Sequence, residues 1–268
     1  MTCSRYAAVV LTVCTVLLLP AVAQAFRLDE TWRRSFPVRP GAEFVLDNTS
    51  GSIRIEVGAP GSIEVTAEIR IKSPSKWKAE RLLEELRFSV DADSSRVAVE
   101  ARLPRIRQDA FIGLVFGRST TIAVRYAVRV PRETRLRLAN TNGDIKVDGV
   151  SGAFTIATES GDVEASFAGG EGEITTMDGS IDLSLGRFSR HAVLSLRAVN
   201  GDIEAALPAT IDAALDASAL NGGIEVDVAA FGRRVFKRGR FEGTAGTGEG
   251  SINLKTTNGN IFIRSNPL

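Results

Sequence analysis

The stretch Asn142-Gly143-Asp144-Ile145-Lys146-Val147 recurs down the C-terminal half of the chain. It returns as Ser160-Gly161-Asp162-Val163-Glu164-Ala165, Asp178-Gly179-Ser180-Ile181-Asp182-Leu183 and Asn200-Gly201-Asp202-Ile203-Glu204-Ala205. Two further copies are Asn221-Gly222-Gly223-Ile224-Glu225-Val226 and Asn258-Gly259-Asn260-Ile261-Phe262-Ile263, and an earlier one is Ser50-Gly51-Ser52-Ile53-Arg54-Ile55. Asn, Ser or Asp followed by glycine turns the backbone through positive φ at low steric cost. The next four residues alternate Ile or Val with a polar partner, which gives a strand one dry face. Each unit therefore reads as a tight turn followed by a short strand.

Successive glycines step by 18, 18, 22 and 21 residues from Gly143 to Gly222, and then by 37 to Gly259. Weaker copies fall between the strong ones, at Gly152-Ala153-Phe154-Thr155-Ile156, Gly172-Glu173-Ile174 and Gly250-Ser251-Ile252-Asn253-Leu254. The module is thus a half-unit of about nine residues that cannot bury its apolar side alone, so copies must stack. Two architectures satisfy this, a β-solenoid with two or more strands per coil and an antiparallel meander or sandwich. The alternation of strong and weak turns favours the solenoid, since a meander gives no reason for every second turn to be stronger.

Upstream, Ile53-Arg54-Ile55-Glu56-Val57, Ile63-Glu64-Val65-Thr66-Ala67 and Val97-Ala98-Val99-Glu100 show the same period of two. One segment departs from it. Ser73-Pro74-Ser75 supplies a cap and a first-turn proline, and residues 75–88 read as an amphipathic helix. Trp77, Leu82, Leu83 and Leu86 are assigned to its packed face, and Trp77 is expected in the core rather than as a ligand platform. The organisation expected is a signal segment 1–25, an N-terminal β region 26–130 with the inserted helix, and a continuous repetitive region 131–268. The class is all-β.

At these repeats the sequence resembles the DUF4097 family, adhesin-like exported bacterial proteins with N-G-D-I-x-V units. The resemblance extends over most of the chain after the leader, including the strand, helix and strand that precede the repeats. It implies a right-handed β-helix-like fold and a cell-envelope location. It brings no catalytic residues to transfer.

Arg5, the apolar run Tyr6 to Leu19, Pro20 and the small residues up to Ala25 have the order of a secretory signal peptide, with cleavage expected after Ala25 or Ala23. Cys3 and Cys14 both lie inside it, so the mature chain is expected to lack thiols, disulfides and zinc-cysteine sites. The 33 Lys and Arg less Arg5 leave 32 basic residues against 32 acidic ones, which gives no support to nucleic acid as a partner. No later apolar run approaches the ~20 residues of a membrane helix. The protein is expected to be exported, to the periplasm or cell surface.

Stacked coils would align the outward residues Lys146, Glu164, Asp182, Glu204, Glu225 and Phe262, so that Glu164, Asp182, Glu204 and Glu225 would form an acidic ridge. Carboxylates at a strand spacing of ~4.8 Å repel unless screened or bridged, so the ridge is a candidate for a cation or a cationic partner, against the plainer reading of a solvated face. Asp144, Asp162 and Asp202 could suggest repeat-bound calcium, but other copies carry Ser180, Gly223 and Asn260 there, and a turn-stabilising role suffices. The cluster Arg233, Arg234, Lys237, Arg238 and Arg240 interrupts the repeat and is the candidate contact for an envelope protein, a glycan or an anionic surface. A solvated loop or hairpin is its plainer reading.

His191 is the only histidine, which excludes a multi-histidine metal site, and no Gly-x-Ser-x-Gly elbow is present. Gly243-Thr244-Ala245-Gly246-Thr247-Gly248-Glu249-Gly250 is rich enough in glycine for phosphate, yet no Lys-Ser or Lys-Thr follows and no helix begins there. Phe111-Ile112-Gly113-Leu114-Val115-Phe116 reads as a buried closure of the core. The helix region is expected to cap one end of the stack and Arg264 to Leu268 the other. No cofactor is implied. The function these features favour is a non-enzymatic envelope protein that binds or scaffolds. A carbohydrate-active enzyme on a β-helix and an accessory of an envelope stress response are the alternatives.

Overall fold

The computed structural model describes residues 26–102, 120–231, 233–237 and 239–266, and in 233–237 only the course of the strand. The expected signal segment, Phe111 to Phe116 and Arg238 lie outside the described residues.

In chain order the N-terminal elements are β1 (Phe26–Pro37), β2 (Glu43–Ser50), β3 (Ile53–Val57), β4 (Ser62–Ser73), α1 (Lys76–Glu85), β5 (Arg87–Ala92), β6 (Arg96–Arg102) and β7 (Thr121–Val130). The repeats supply β8 (Arg135–Asn142), β9 (Ile145–Ser151), β10 (Phe154–Ser160), β11 (Val163–Gly169), β12 (Gly172–Asp178), β13 (Ile181–Leu185), β14 (Val193–Asn200) and β15 (Ile203–Pro208). The last elements are β16 (Ala213–Asn221), β17 (Ile224–Asp227), β18 (Arg233–Lys237), β19 (Arg240–Ala245), β20 (Gly250–Asn258) and β21 (Ile261–Asn266).

Among the described residues these strands form two sheets. The first, sheet A, is ten-stranded in the order β1-β4-β7-β3-β9-β11-β13-β15-β21-β17. The second, sheet B, is eleven-stranded in the order β18-β19-β16-β20-β14-β12-β10-β8-β2-β6-β5. Each coil contributes one strand to each sheet, and neighbouring coils pair in parallel. Parallel pairing selects the solenoid over the meander. Antiparallel strands occur only toward the ends, where β4 pairs β7, β5 pairs β6 and β19 pairs β16. The N-terminal region is part of the same stack, because β2 and β3 pair in parallel with β8 and β9.

The alternation of strong and weak repeats now has a structural cause. Every strong copy turns the chain from sheet B into sheet A, and the weak copies open the strands of sheet B. Inward residues stack in straight rows between the sheets. Ile145, Val163, Ile181, Ile203 and Ile261 line one side of the core, facing Leu138, Ile156, Ile174, Leu196 and Leu254 on the other. Burying such a side chain contributes at most about 1.5–3 kcal/mol, so a coil gains its stability only with neighbours on both sides.

The coils are not stacked in chain order. The β20–β21 coil sits between β14–β15 and β16–β17, and at the other end β2–β3 sits between β6–β7 and β8–β9. This places Arg264 inside sheet A between β15 and β17, with Ser265 and Asn266 continuing along β15, so the described part of that segment lies beside the coils instead of closing the end as expected. The C-terminal end is closed in sheet B by the β18–β19 hairpin.

Helix α1 is shorter than the expected 75–88. Ser75 is its N-cap, its hydroxyl accepting from the Lys78 amide at 3.4 Å, and Leu86 is its C-cap. The helix packs on β1 and β4 at the N-terminal end and adds Ala79, Leu82 and Leu86 to the core. Trp77 does not join them. It is 68% exposed, with the Arg81 guanidinium 5.6 Å from its ring centre. The aromatic that does close this end is Trp32, stacked on Phe88 at 4.8 Å between β1 and β5.

Candidate binding faces

The corner where sheet B turns into sheet A is held by three ladders that run along the stack, one of glycine backbone and two of side chains. Glycine comes first. Gly179 has φ 155°, and a Cβ there would overlap the carbonyl oxygen of Gly161 in the coil beneath. The residue after each glycine bridges coils: the Ser180 amide donates to Asp162 Oδ1 at 2.8 Å, the Asn260 amide to Asp202 Oδ1 at 2.6 Å, and the Gly223 amide to Asn260 Oδ1 at 2.9 Å. The residue before it forms a chain of side-chain amides that ends on a carboxylate, Asn221 donating to Asn258 at 2.8 Å, Asn258 to Asn200 at 2.7 Å and Asn200 to Asp178 Oδ1 at 2.6 Å. The repeat aspartates that resembled calcium ligands thus accept backbone hydrogen bonds from the next coil. Among the described residues no group of three or more His, Cys, Asp or Glu gathers around a common point.

The acidic ridge forms, but not in the expected order. Because β21 enters between β15 and β17, Phe262 stands between Glu204 and Glu225, leaving three adjacent carboxylates at Glu164, Asp182 and Glu204. The outer two are compensated, Glu164 by Lys146 and Glu204 by Arg264 Nη1 at 2.6 Å. Asp182 in the middle has its pKa raised by partial burial and then by the charges of Glu204 and Glu164, against the opposing pull of Arg264 and Lys146. The ridge is a row of carboxylates with one under-compensated centre.

The basic cluster is split by the fold. Arg233, Arg234 and Lys237 lie on β18, the edge of sheet B, while Arg240 opens β19 and is engaged by Asp216 at 2.6 Å and Glu242 at 3.1 Å. Register adds members that chain order hid. Arg197, Lys255, Ser218, Arg240 and Lys237 occupy one level across five adjacent strands. One step toward the turns runs an exposed apolar strip, Met177, Val199 and Leu220, at matching positions of β12, β14 and β16. In the sequence each of the three stands immediately before an Asn-Gly or Asp-Gly pair, a place held on the intervening β20 by Thr257.

On the opposite corner, residues 186–192 connect β13 to β14 and overhang shorter turns, leaving a cleft of about 920 Å³ lined by Gly152, Gly170, Arg187, Phe188, Arg190 and His191. His191 sits at φ 63° and reaches Glu249 at 3.6 Å. Beside it, the glycine-rich segment 243–250 points the amides of Thr247 and Gly248 at Asp212, at 2.8 and 2.7 Å. The backbone cradle that could suit a phosphate is filled by the chain's own carboxylate, and the Thr247 hydroxyl first, then the amides of Gly248, Glu249 and Thr247, hold the Asp212 pKa below the usual range.

The family model described as Toastrack DUF4097 matches residues 131–264, half of the chain. The chain belongs to the DUF4097 family. The match spans β8 to β20 and most of β21, so the interleaved end is within it. No curated protein matches the sequence.

Similar solved structures include a candidate cell adhesion protein from Clostridium sporogenes, at 12% identity and TM-score 0.49, covering 88% of this chain and 100% of that one. Another is a candidate adhesin from Bacteroides fragilis, at 12% identity and TM-score 0.40, covering 87% and 97%. A third is a candidate lipid binding protein from Parabacteroides distasonis, at 11% identity and TM-score 0.26, covering 88% and 95%. Likenesses this distant carry no inference about what this chain binds.

Proposed function

We propose that this DUF4097 protein is exported and acts in the cell envelope as a non-enzymatic, adhesin-like binding or scaffolding protein. One observation carries the reading: in-register coils place outward side chains in straight rows across up to ten strands, a rigid face that needs no ordering before contact. The leader-like order of residues 1–25 and the family resemblance support the envelope as its place. Chemical crosslinking in intact cells, followed by fractionation, is expected to capture the chain with an envelope component. Recovery from the cytosolic fraction alone, or turnover of a polysaccharide panel that is lost on changing one carboxylate, would overturn the reading.

A further inference from the structure

The acidic ridge is half of a longer row. At the same register level, β1, β4, β7, β3 and β9 carry Arg33, Thr66, Ala127, Arg54 and Lys146. The level continues on β11, β13, β15, β21 and β17 with Glu164, Asp182, Glu204, Phe262 and Glu225. No acid stands in the first five positions and no base in the last five. The sign changes at the middle of the sheet, where Lys146 and Glu164 already pair.

A row of this kind is complementary to itself. Half a turn about an axis parallel to the strands, midway between β9 and β11, lays the sheet face to face on a second copy with the stack reversed. Lys146 then meets Glu164 of the second copy, Arg54 meets Asp182 and Arg33 meets Glu225. Ala127 and Thr66 fall over Glu204 and Phe262. On the level carrying Glu64, Glu56, Asp148 and Arg264, Glu64 comes opposite Arg264 and no like charges are opposed. On the level nearer the turns, Asp144 opposes Asp162, a like pair whose oxygens already accept amides of the next coil.

Of the charges that would meet, Lys146 and Glu164 already pair within the chain and Arg264 already holds Glu204, while the others are largely left over. Asp182 and Glu225 have no ion-pair partner among the described residues, and Arg54 has only Glu56 at 3.5 Å. A cation placed opposite Asp182 would also offset the charges of Glu204 and Glu164, which add to partial burial in raising its pKa. The outer face of ten strands measures about 43 Å by about 16 Å, roughly 700 Å² per copy, near the ~800 Å² typical of a stable partner surface.

We propose that the chain forms an isologous dimer through the outer face of sheet A, with the basic half of each copy lying on the acidic half of the other. The proposal rests on the binding reading above and names a second copy as the occupant of this face.

Sedimentation velocity of the full chain, purified as the cell leaves it, is the test. A dimer is expected at about 20 mM salt that dissociates toward about 500 mM. Arg54→Asp and Asp182→Arg, both on the exposed side of the sheet, are each expected to weaken dimerisation by roughly tenfold or more, since each places two like-charged contacts in the interface. An equimolar mixture of the two variants, or the double variant, is expected to restore it, because opposite charges then meet at both sites. Unchanged circular dichroism of each variant separates lost contact from lost fold. A monomer at low salt, or a dimer that neither reversal weakens, would overturn the proposal. A purified monomer together with a different captured envelope partner would sink the dimer and leave the binding reading standing. A charge-dependent dimer found only in the cytosol would do the reverse.

Discussion

The two corners of the stack are built on opposite plans. Where sheet B turns into sheet A, each repeat turn is the same length and carries glycine and hydrogen-bond ladders from coil to coil. Where sheet A returns to sheet B, the connections run from two residues at 170–171 to seven at 186–192. At its glycines the first corner tolerates no side chain, because backbone lies directly on backbone. The second has already absorbed insertions, a cleft and a strained histidine. Regularity is concentrated on one corner and variation on the other, which is the arrangement expected where a rigid scaffold carries changeable loops.

The contrast can be broken first at Gly179. Gly179→Ala puts a Cβ into the Gly161 carbonyl at a φ that L residues rarely adopt, and is expected to cost about 3 kcal/mol or more in urea unfolding. A loss below about 1 kcal/mol would mean that the corner relaxes and the ladder is not rigid.

A second probe is Asp212, which gathers the amides of the variable corner. Its folded pKa is depressed, so its contribution is full above the unfolded pKa near ~4 and is lost as pH falls through the folded value. Asp212→Asn is therefore expected to lower the Tm at pH 7, with the gap to the parent closing in acid. A gap that does not change with pH would assign the effect to packing instead of charge. The smallest effect is expected from two glycines inserted between Ser189 and Arg190. Lengthening this loop should change stability by about 0.6 kcal/mol or less, read from the same urea transitions.

Much of this fold was legible in the sequence because its information is local. Asn-Gly-Asp-Ile carries its turn, its strand and its inward residue within six positions, and repetition supplies the stacking. Coil order is not local. The 37-residue step from Gly222 to Gly259 marks the place where β18 and β19 intervene, but nothing in the spacing says that β21 returns to pair with β15. Phe262 was placed at the end of the acidic row for that reason. Trp77 is a different case, since its signal was present. Ala79, Leu82, Leu83 and Leu86 form the i, i+3, i+4, i+7 stripe of a helix, and Trp77 lies off it. The dimer face was hidden because its basic half comes from five strands, β1, β4, β7, β3 and β9, most of whose neighbours are remote in sequence.

The interleaved coil also sets an order of assembly. Strands β16 and β17 are made before β20 and β21, yet their stacking neighbour in both sheets is the coil made after them. Until it arrives they face a gap one strand wide. A chain that emerges from its N-terminal end can zip coils together as far as β14–β15 and must then wait. The final coil is then expected to enter as a wedge, with partners on both sides, and to seat the β16–β17 coil and the hairpin beyond it as it pairs.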